Sequence, residues 1–515
     1  MPELLDLPLE IIQRISQNHL PVQQDRLNLL LCCRSFSKKL LKSLYTNPSV
    51  RPNLQRRRKL FYSFVERILQ GPTLGQAVQT LELHHWSTNP TAQADNEDCI
   101  PEVHIAVKAY SQSEDEQVTW MQDIKAGKPD AWLALIIPRL VNLQALWIVF
   151  PSVTKCPNHV TRMLARAVSK RPPFHTAPAF PALAEVYVSS SDLDGLTPGL
   201  VKSCFSFASL RKVCGWHVGN PRYNQTRNAQ DRARDRLAAA PRQSLNLTAL
   251  DLRGCDHFGC LNNLVWTCNG LKSLHITCRA FVDWRGNGPR QLVIGTPFSV
   301  LLSIDKHKHT LESILIDAHD ERAQASYSQK VPLQIIQRRH PLARLCLKRG
   351  LHGCFVQFTT LKHLHFQLPS LVLLEYVHPK SVPTLHLKDC LSPSLETLHL
   401  VMAYPPAKIP WFPSQLLELV TTRENYVPNL HTIELIGEPW KDTDPRGDQV
   451  RSACEAANIE LAVSQRRGEF YGSGWGNSGC SMILRVRGHE RDTKSYSVFS
   501  YGLETTRNWV GRKLL

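Results

Sequence analysis

From Val78 to Leu435 one short apolar signature keeps returning, apolar-x-x-apolar-x-apolar. Clear copies are Val78/Leu81/Leu83, Leu143/Leu146/Ile148, Leu183/Val186/Val188, Leu247/Leu250/Leu252, Leu271/Leu274/Ile276, Leu311/Ile314/Ile316, Leu361/Leu364/Phe366, Val382/Leu385/Leu387, Leu395/Leu398/Leu400 and Leu430/Ile433/Leu435. Leu210/Val213 is a degenerate copy. In each copy the last two apolar positions alternate with other residues, which is the period of a short strand with one buried face. Helical patterns lie between some copies, at 157–170 and 257–267. The chain's 515 residues exceed one compact core, so they hold either several domains or one elongated array.

The signature is the LxxLxL core of a leucine-rich repeat. Its spacing is irregular: neighbouring copies start 24 residues apart (247 to 271), 27 apart (183 to 210) and 50 apart (311 to 361). The usual repeat is ~20–29 residues, so the long gaps hold insertions or unseen repeats. The 13-residue step from Val382 to Leu395 is too short for two complete repeats. Three positions after the last apolar residue, this repeat class often places an inward Asn or Cys that supports the turn after the strand. Cys255 and Cys390 fit that position, which predicts both as buried; Cys278 falls one residue early.

The N-terminus has a different pattern. Pro8 suits a first helical turn, and Ile11, Ile12 and Ile15 share a helical face. Leu27, Leu30 and Leu31 mark a second helix, and Phe36, Leu40, Leu41, Leu44 and Tyr45 a third, stopped by Asn47-Pro48. Three such helices cannot bury all their apolar faces on one another, so an exposed apolar patch and a partner are expected. Leu7-Pro8-x-Glu10-Ile11-Ile12-x-x-Ile15, then Leu20 and Leu27–Leu30, then Cys33-Arg34-x-Phe36, resembles an F-box, with Phe36 where that family usually has Trp. The resemblance covers roughly 4–48. It implies docking onto the small linker subunit of an SCF-type (cullin–RING) ubiquitin ligase, with Leu7, Pro8, Ile11, Ile12, Leu30 and Cys33 as contacts. With the repeats, the chain resembles the F-box/leucine-rich-repeat class of substrate receptors, of an irregular type.

The expected organisation is therefore an all-α F-box at 1–48, a linker helix within 49–75, irregular repeats over 76–463 and a Gly-rich, β-containing cap over 464–515. The expected fold class is α/β, a curved parallel sheet with helices and loops outside, preceded by the small helical module. The polar stretches 86–118 and 219–243 read as long inserted loops. Alternation at Met482–Val486 and Tyr496–Tyr501 predicts strands in the tail.

Chemistry is sparse. There is no nucleophile elbow, zincin helix, kinase signature or EF-hand loop, and the glycine cluster after 467 lacks the Gly-Lys-Ser/Thr of a phosphate loop. The fifteen cysteines are scattered, odd in number and without a CxxC pair. No catalytic residues, cofactor or metal are expected. No apolar run approaches the ~18–20 residues of a membrane span, and Glu3, Asp6 and Glu10 stand where a secretory leader would be basic and apolar. The expected compartment is the cytoplasm or nucleus, with no membrane partner.

Net charge is +17, with local excesses at 1–75, 219–243 and 338–349. It predicts a basic surface and an acidic or phosphorylated target. No recognition helix, RNP motif or zinc module argues for nucleic acid. The residue between the last two apolar positions should face outward from the sheet. His275, His365, His386 and His399 occupy it in four copies, with Glu82, Trp147, Tyr187, Asp251, Leu315 and Glu434 in others. His275, His365, His386, His399, Trp147 and Tyr187 are the candidate target-reading face. The expected function is a non-catalytic adaptor: the F-box ties the chain to the ligase through linker subunit and cullin, and the repeats hold a target protein. The alternative is a leucine-rich interaction scaffold outside any ligase.

Overall fold

The computed structural model describes residues 11, 32–33, 41, 44–50, 58–84, 86, 100–151, 158–190, 204–216, 218, 245–255, 264–279, 281–282, 292–293, 303–319, 355–367, 386–402, 409–437 and 445–464. The insertion at 219–243, the tail beyond Ser464, and Leu7, Pro8, Ile12 and Leu30 lie outside them.

The strands are β1 Ser49–Val50, β2 Thr80–Leu83, β3 Ala145–Phe150, β4 Glu185–Ser190, β5 Lys212–Trp216, β6 Ala249–Cys255 and β7 Ser273–Arg279. They continue with β8 Phe281–Val282, β9 Leu292–Val293, β10 Ser313–His319, β11 His363–Gln367, β12 Thr397–Val401, β13 Thr432–Ile436 and β14 Glu460–Ser464. β8 and β9 form a small antiparallel ribbon. The other twelve form one open sheet in chain order, β1 to β7 and then β10 to β14, and every pairing in it is parallel. The protein is thus α/β with a twelve-stranded parallel open sheet, an arrangement consistent with a curved α/β solenoid.

The recurring apolar positions explain the register. Leu81, Leu146, Val186, Val213, Leu250, Leu274, Ile314, Leu364, Leu398 and Ile433 lie side by side on adjacent strands. All are buried. Each such side chain contributes ~1.5–3 kcal/mol by leaving water, and a one-residue slip would turn a whole strand's set outward. The next inward row runs Leu83, Ile148, Val188, Gly215, Leu252 and Ile276. Gly215 interrupts it because Val218 fills the space: a Cβ there would meet Val218 Cγ2 at 2.6 Å and Leu252 Cδ2 at 2.9 Å. That substitution blurred the Leu210/Val213 copy in the sequence. Strand β14, with Leu461 opposite Ile433, went unrecognised because it borders the polar tail.

The helices are α1 Arg58–Gln70, α2 Pro72–Ala77, α3 Pro101–Tyr110, α4 Glu114–Lys125, α5 Pro129–Ile136, α6 His159–Ser169, α7 Phe412–Thr421, α8 Arg423–Tyr426 and α9 Pro445–Ala456. Their apolar faces join the inward rows in one core, with Phe61, Val65 and Ile68 from α1 and Leu416 and Leu419 from α7 among its members. α1 lies within the stretch 49–75 where a linker helix is expected, and α6 within the helix predicted at 157–170. No helix among the described residues is long and apolar enough to cross a membrane.

Two expectations need correction. The loop expected over 86–118 contains α3 and the start of α4. Its acidic run is a helix start, not a solvated loop: Ser113 Oγ accepts from the Glu116 N–H, and Glu116 Oε2 accepts from the Gln112 N–H at 2.7 Å. Glu114, Asp115 and Glu116 crowd the first turn, where the helix dipole favours negative charge. The second correction concerns Val382/Leu385/Leu387. Leu387–Cys390 is a 3₁₀ turn, not a strand, and β11 pairs directly with β12. The turn is held by Gln415 on α7, whose side-chain oxygen accepts the buried Leu387 N–H at 2.9 Å. Cys390 is buried as predicted, but within that turn rather than after a strand; Cys255 is buried at the end of β6.

Candidate target-binding face

Alternation leaves one side of the sheet unclaimed by the inward rows. Its central row, in strand order, is Ser49, Glu82, Trp147, Tyr187, Cys214, Asp251, His275, Leu315, His365, His399, Glu434 and Ala462. The structure brings His275, His365, His399, Trp147 and Tyr187 into this row, where parallel neighbours are ~4.8 Å apart. Leu315 separates His275 from His365. His386 does not belong to it. It precedes the 3₁₀ turn, and its Nδ1 lies 3.2 Å from Glu418 on α7. Glu418 also takes Lys388 at 2.7 Å, and the Lys388 hydrogen bond holds its carboxyl below the usual range.

At one end of the row Trp147 and Tyr187 stack, with ring centroids 3.7 Å apart and planes 14° apart. The Tyr187 hydroxyl donates to Glu185 at 2.5 Å, and Lys212 Nζ lies 5.4 Å from the tyrosine ring centroid. Burial first, then the bond to Glu185, push the phenol pKa up, so the hydroxyl stays protonated. In the middle, Arg253 bonds Asp251 through two nitrogens at 2.9 Å and lies over the Trp216 ring, while His275 Nδ1 is 3.3 Å from Asp251. At the far end the His365 and His399 rings lie 5.8 Å apart, and His399 Nδ1 meets Glu434 at 2.8 Å.

Sequence reading found the central row but not its flanks. Glu185, Lys212, His363 and Glu460 lie two residues before central positions, and Trp216 and Arg253 two residues after. The same period of two would have found them. With the flanks included, the outward positions whose side chains are described carry five carboxylates, Glu82, Glu185, Asp251, Glu434 and Glu460, against two permanent cations, Lys212 and Arg253.

A second polar cluster lies among the helices. The buried Asp130 carboxylate on α5 accepts the first two N–H groups of α6, from His159 at 2.6 Å and Val160 at 3.0 Å. Burial pushes Asp130 up to about 6 despite those bonds. His159 Nε2 meets Asp123 at 2.8 Å and its ring stacks on Trp120. Arg166 on α6 donates to the Tyr110 carbonyl at 2.7 Å and forms a short ion pair with Glu116. These groups join the ends of α3, α4, α5 and α6, a structural role.

Burial raises the thiols of Cys204, Cys214, Cys268 and Cys390 to about 12 and Cys454 to about 11, which holds them protonated. Among the described residues no group of three or more His, Cys, Asp or Glu is placed to hold a metal ion. Of the expected linker-subunit contacts, Ile11 is helical and 41% exposed and Cys33 is half-buried. No family model and no curated protein sequence matches this chain.

Proposed function

We propose that this protein is a substrate-recognition adaptor of an SCF-type ubiquitin ligase, with an F-box at 1–48 and a leucine-rich-repeat solenoid over 76–463. The observation that carries the reading is the pairing of two features: the F-box-like pattern of residues 4–48, and a long parallel sheet whose outward side is polar and aromatic. Leu7, Pro8, Ile11, Ile12, Leu30 and Cys33 dock the linker subunit and, through it, the cullin. The sheet face around Trp147, Tyr187, His275, His365 and His399 holds the target. The adaptor makes and breaks no bonds. It raises the effective concentration of target lysines beside a charged ubiquitin-conjugating enzyme. In this reading it works in the cytoplasm or nucleus.

The test is affinity purification of the full chain. Linker subunit and cullin should co-purify, and Leu7→Ala/Pro8→Ala should abolish their recovery while the chain stays folded. Recovery of neither, from cells that contain both, would leave the leucine-rich scaffold reading in its place.

A further inference from the structure

The outward side of the sheet opposes the chain in sign. The whole chain stands at +17 with histidines neutral, yet the outward positions whose side chains are described carry five carboxylates and two permanent cations. Two lysines bordering the face, Lys272 and Lys362, sit one position before the outward rows. Each is tied to the glutamate just before the next strand, Glu312 before β10 and Glu396 before β12, at 3.0 Å. A predominance of one sign over a surface backed by low-dielectric core attracts the opposite charge.

The Trp147–Tyr187 stack lies in the same region, with Glu82 of β2 beside Trp147 and Glu185 two residues before Tyr187 on β4 itself. Aromatic ring faces attract ammonium and guanidinium groups, Trp most strongly, and a nearby carboxylate adds its own attraction for the cation. The protein already uses this contact twice on the face, with Lys212 over Tyr187 and Arg253 over Trp216.

We infer that the face receives an extended cationic segment of the target protein, rich in lysine or arginine, laid across the strands and anchored on the half-buried Trp147, which the buried Tyr187 backs by stacking. The inference rests on the reading that this face holds the target. It replaces the acidic or phosphorylated target suggested by net charge alone, because the charge of the chain is not the charge of its face. An acidic peptide or a nucleic acid would approach a surface with an excess of carboxylates and lose affinity for that reason.

The experiment is fluorescence anisotropy on the full chain with three labelled probes. They are a peptide of repeated Arg-Ser-Lys-Ala, its counterpart with Glu and Asp at the basic positions, and a single-stranded RNA. The basic peptide should bind best and weaken with added salt. Trp147→Ala should weaken it about tenfold, as loss of an aromatic anchor does, and Trp147→Phe less. Glu82→Lys and Glu434→Lys, at outward positions, should each weaken it too, and they carry the test if Trp147→Ala fails to fold. Tighter binding of the acidic peptide or the RNA, no binding of the basic peptide, or unchanged affinity in folded variants would overturn the inference. Recovery of linker subunit and cullin, measured in parallel, reads the docking module separately, so its failure is distinguishable from failure of the face.

Discussion

Between α4, α5 and α6, and again along the outward row of the sheet, the protein assembles histidine, arginine and carboxylate side chains. The burial differs: side-chain exposure is 4% for His159 and 9% for Arg166, but 23% for His275 and 19% for His399. So do the partners. Besides its side-chain pairs, the helical cluster satisfies backbone, with Asp130 on the first turn of α6 and Arg166 on the Tyr110 carbonyl. The face pairs, Asp251–Arg253, Asp251–His275 and His399–Glu434, join side chain to side chain. A buried charge that closes open backbone groups is part of the fold, because removing it leaves its partner unpaired away from water. A pair about one-fifth exposed, in which water can reach either member, is more weakly coupled to stability.

The comparison breaks if the two regions respond alike to substitution. Arg166→Ala should have the largest effect. It removes the closest ion-pair partner of Glu116, which keeps only the Gln112 N–H and Arg162 at 3.6 Å, and the side-chain donor to the Tyr110 carbonyl, and should lower the unfolding free energy by about 3–5 kcal/mol in urea titration. Asp130→Ala removes the acceptor for two buried N–H groups and should cost about 2–4 kcal/mol in the same measurement. A loss below about 0.5 kcal/mol in both would show that the helical cluster is no more structural than the face.

A buried histidine sharpens the contrast through pH. His307 is 1% exposed and its Nε2 lies 2.9 Å from the Val265 carbonyl, and burial holds its pKa below the ordinary 6.5. Its folded-state pKa is depressed, so the unfolded chain binds the proton more readily. Its contribution is therefore full above about pH 6.5 and is lost as pH falls below that value. His307→Gln should flatten the decline of urea midpoint below pH 6.5; an unchanged slope would remove His307 from the acid response. The smallest effect is expected on the face. His399→Ala should change stability by about 0.2–1 kcal/mol while leaving far-UV circular dichroism unaltered.

Much of the sheet was legible because its inward rows are written locally. Ten of the twelve strands carry leucine, isoleucine or valine at the inward position of a copy named from sequence, from Leu81 in β2 to Ile433 in β13. The exceptions have physical causes. β1 is two residues long, and β14 borders a polar tail. Val382/Leu385/Leu387 has the right spacing, but its Leu387 N–H is taken by Gln415 of α7, 28 residues away, which no local pattern reports. Acidic residues 114–116 looked like solvent-exposed loop because composition does not distinguish a solvated run from a capped first turn.

By itself, then, the sequence determined the period of the strands, which side of each is buried, and hence a parallel α/β array. Those properties depend on neighbours two or three residues apart. Tertiary structure decided which outward residues share a surface, because lateral neighbours such as His365 and His399 are 34 residues apart and meet only through register. It also decided the sign of the face. Net charge sums over the whole chain, while the sign of the face depends only on the side chains that the strand register gathers on one side.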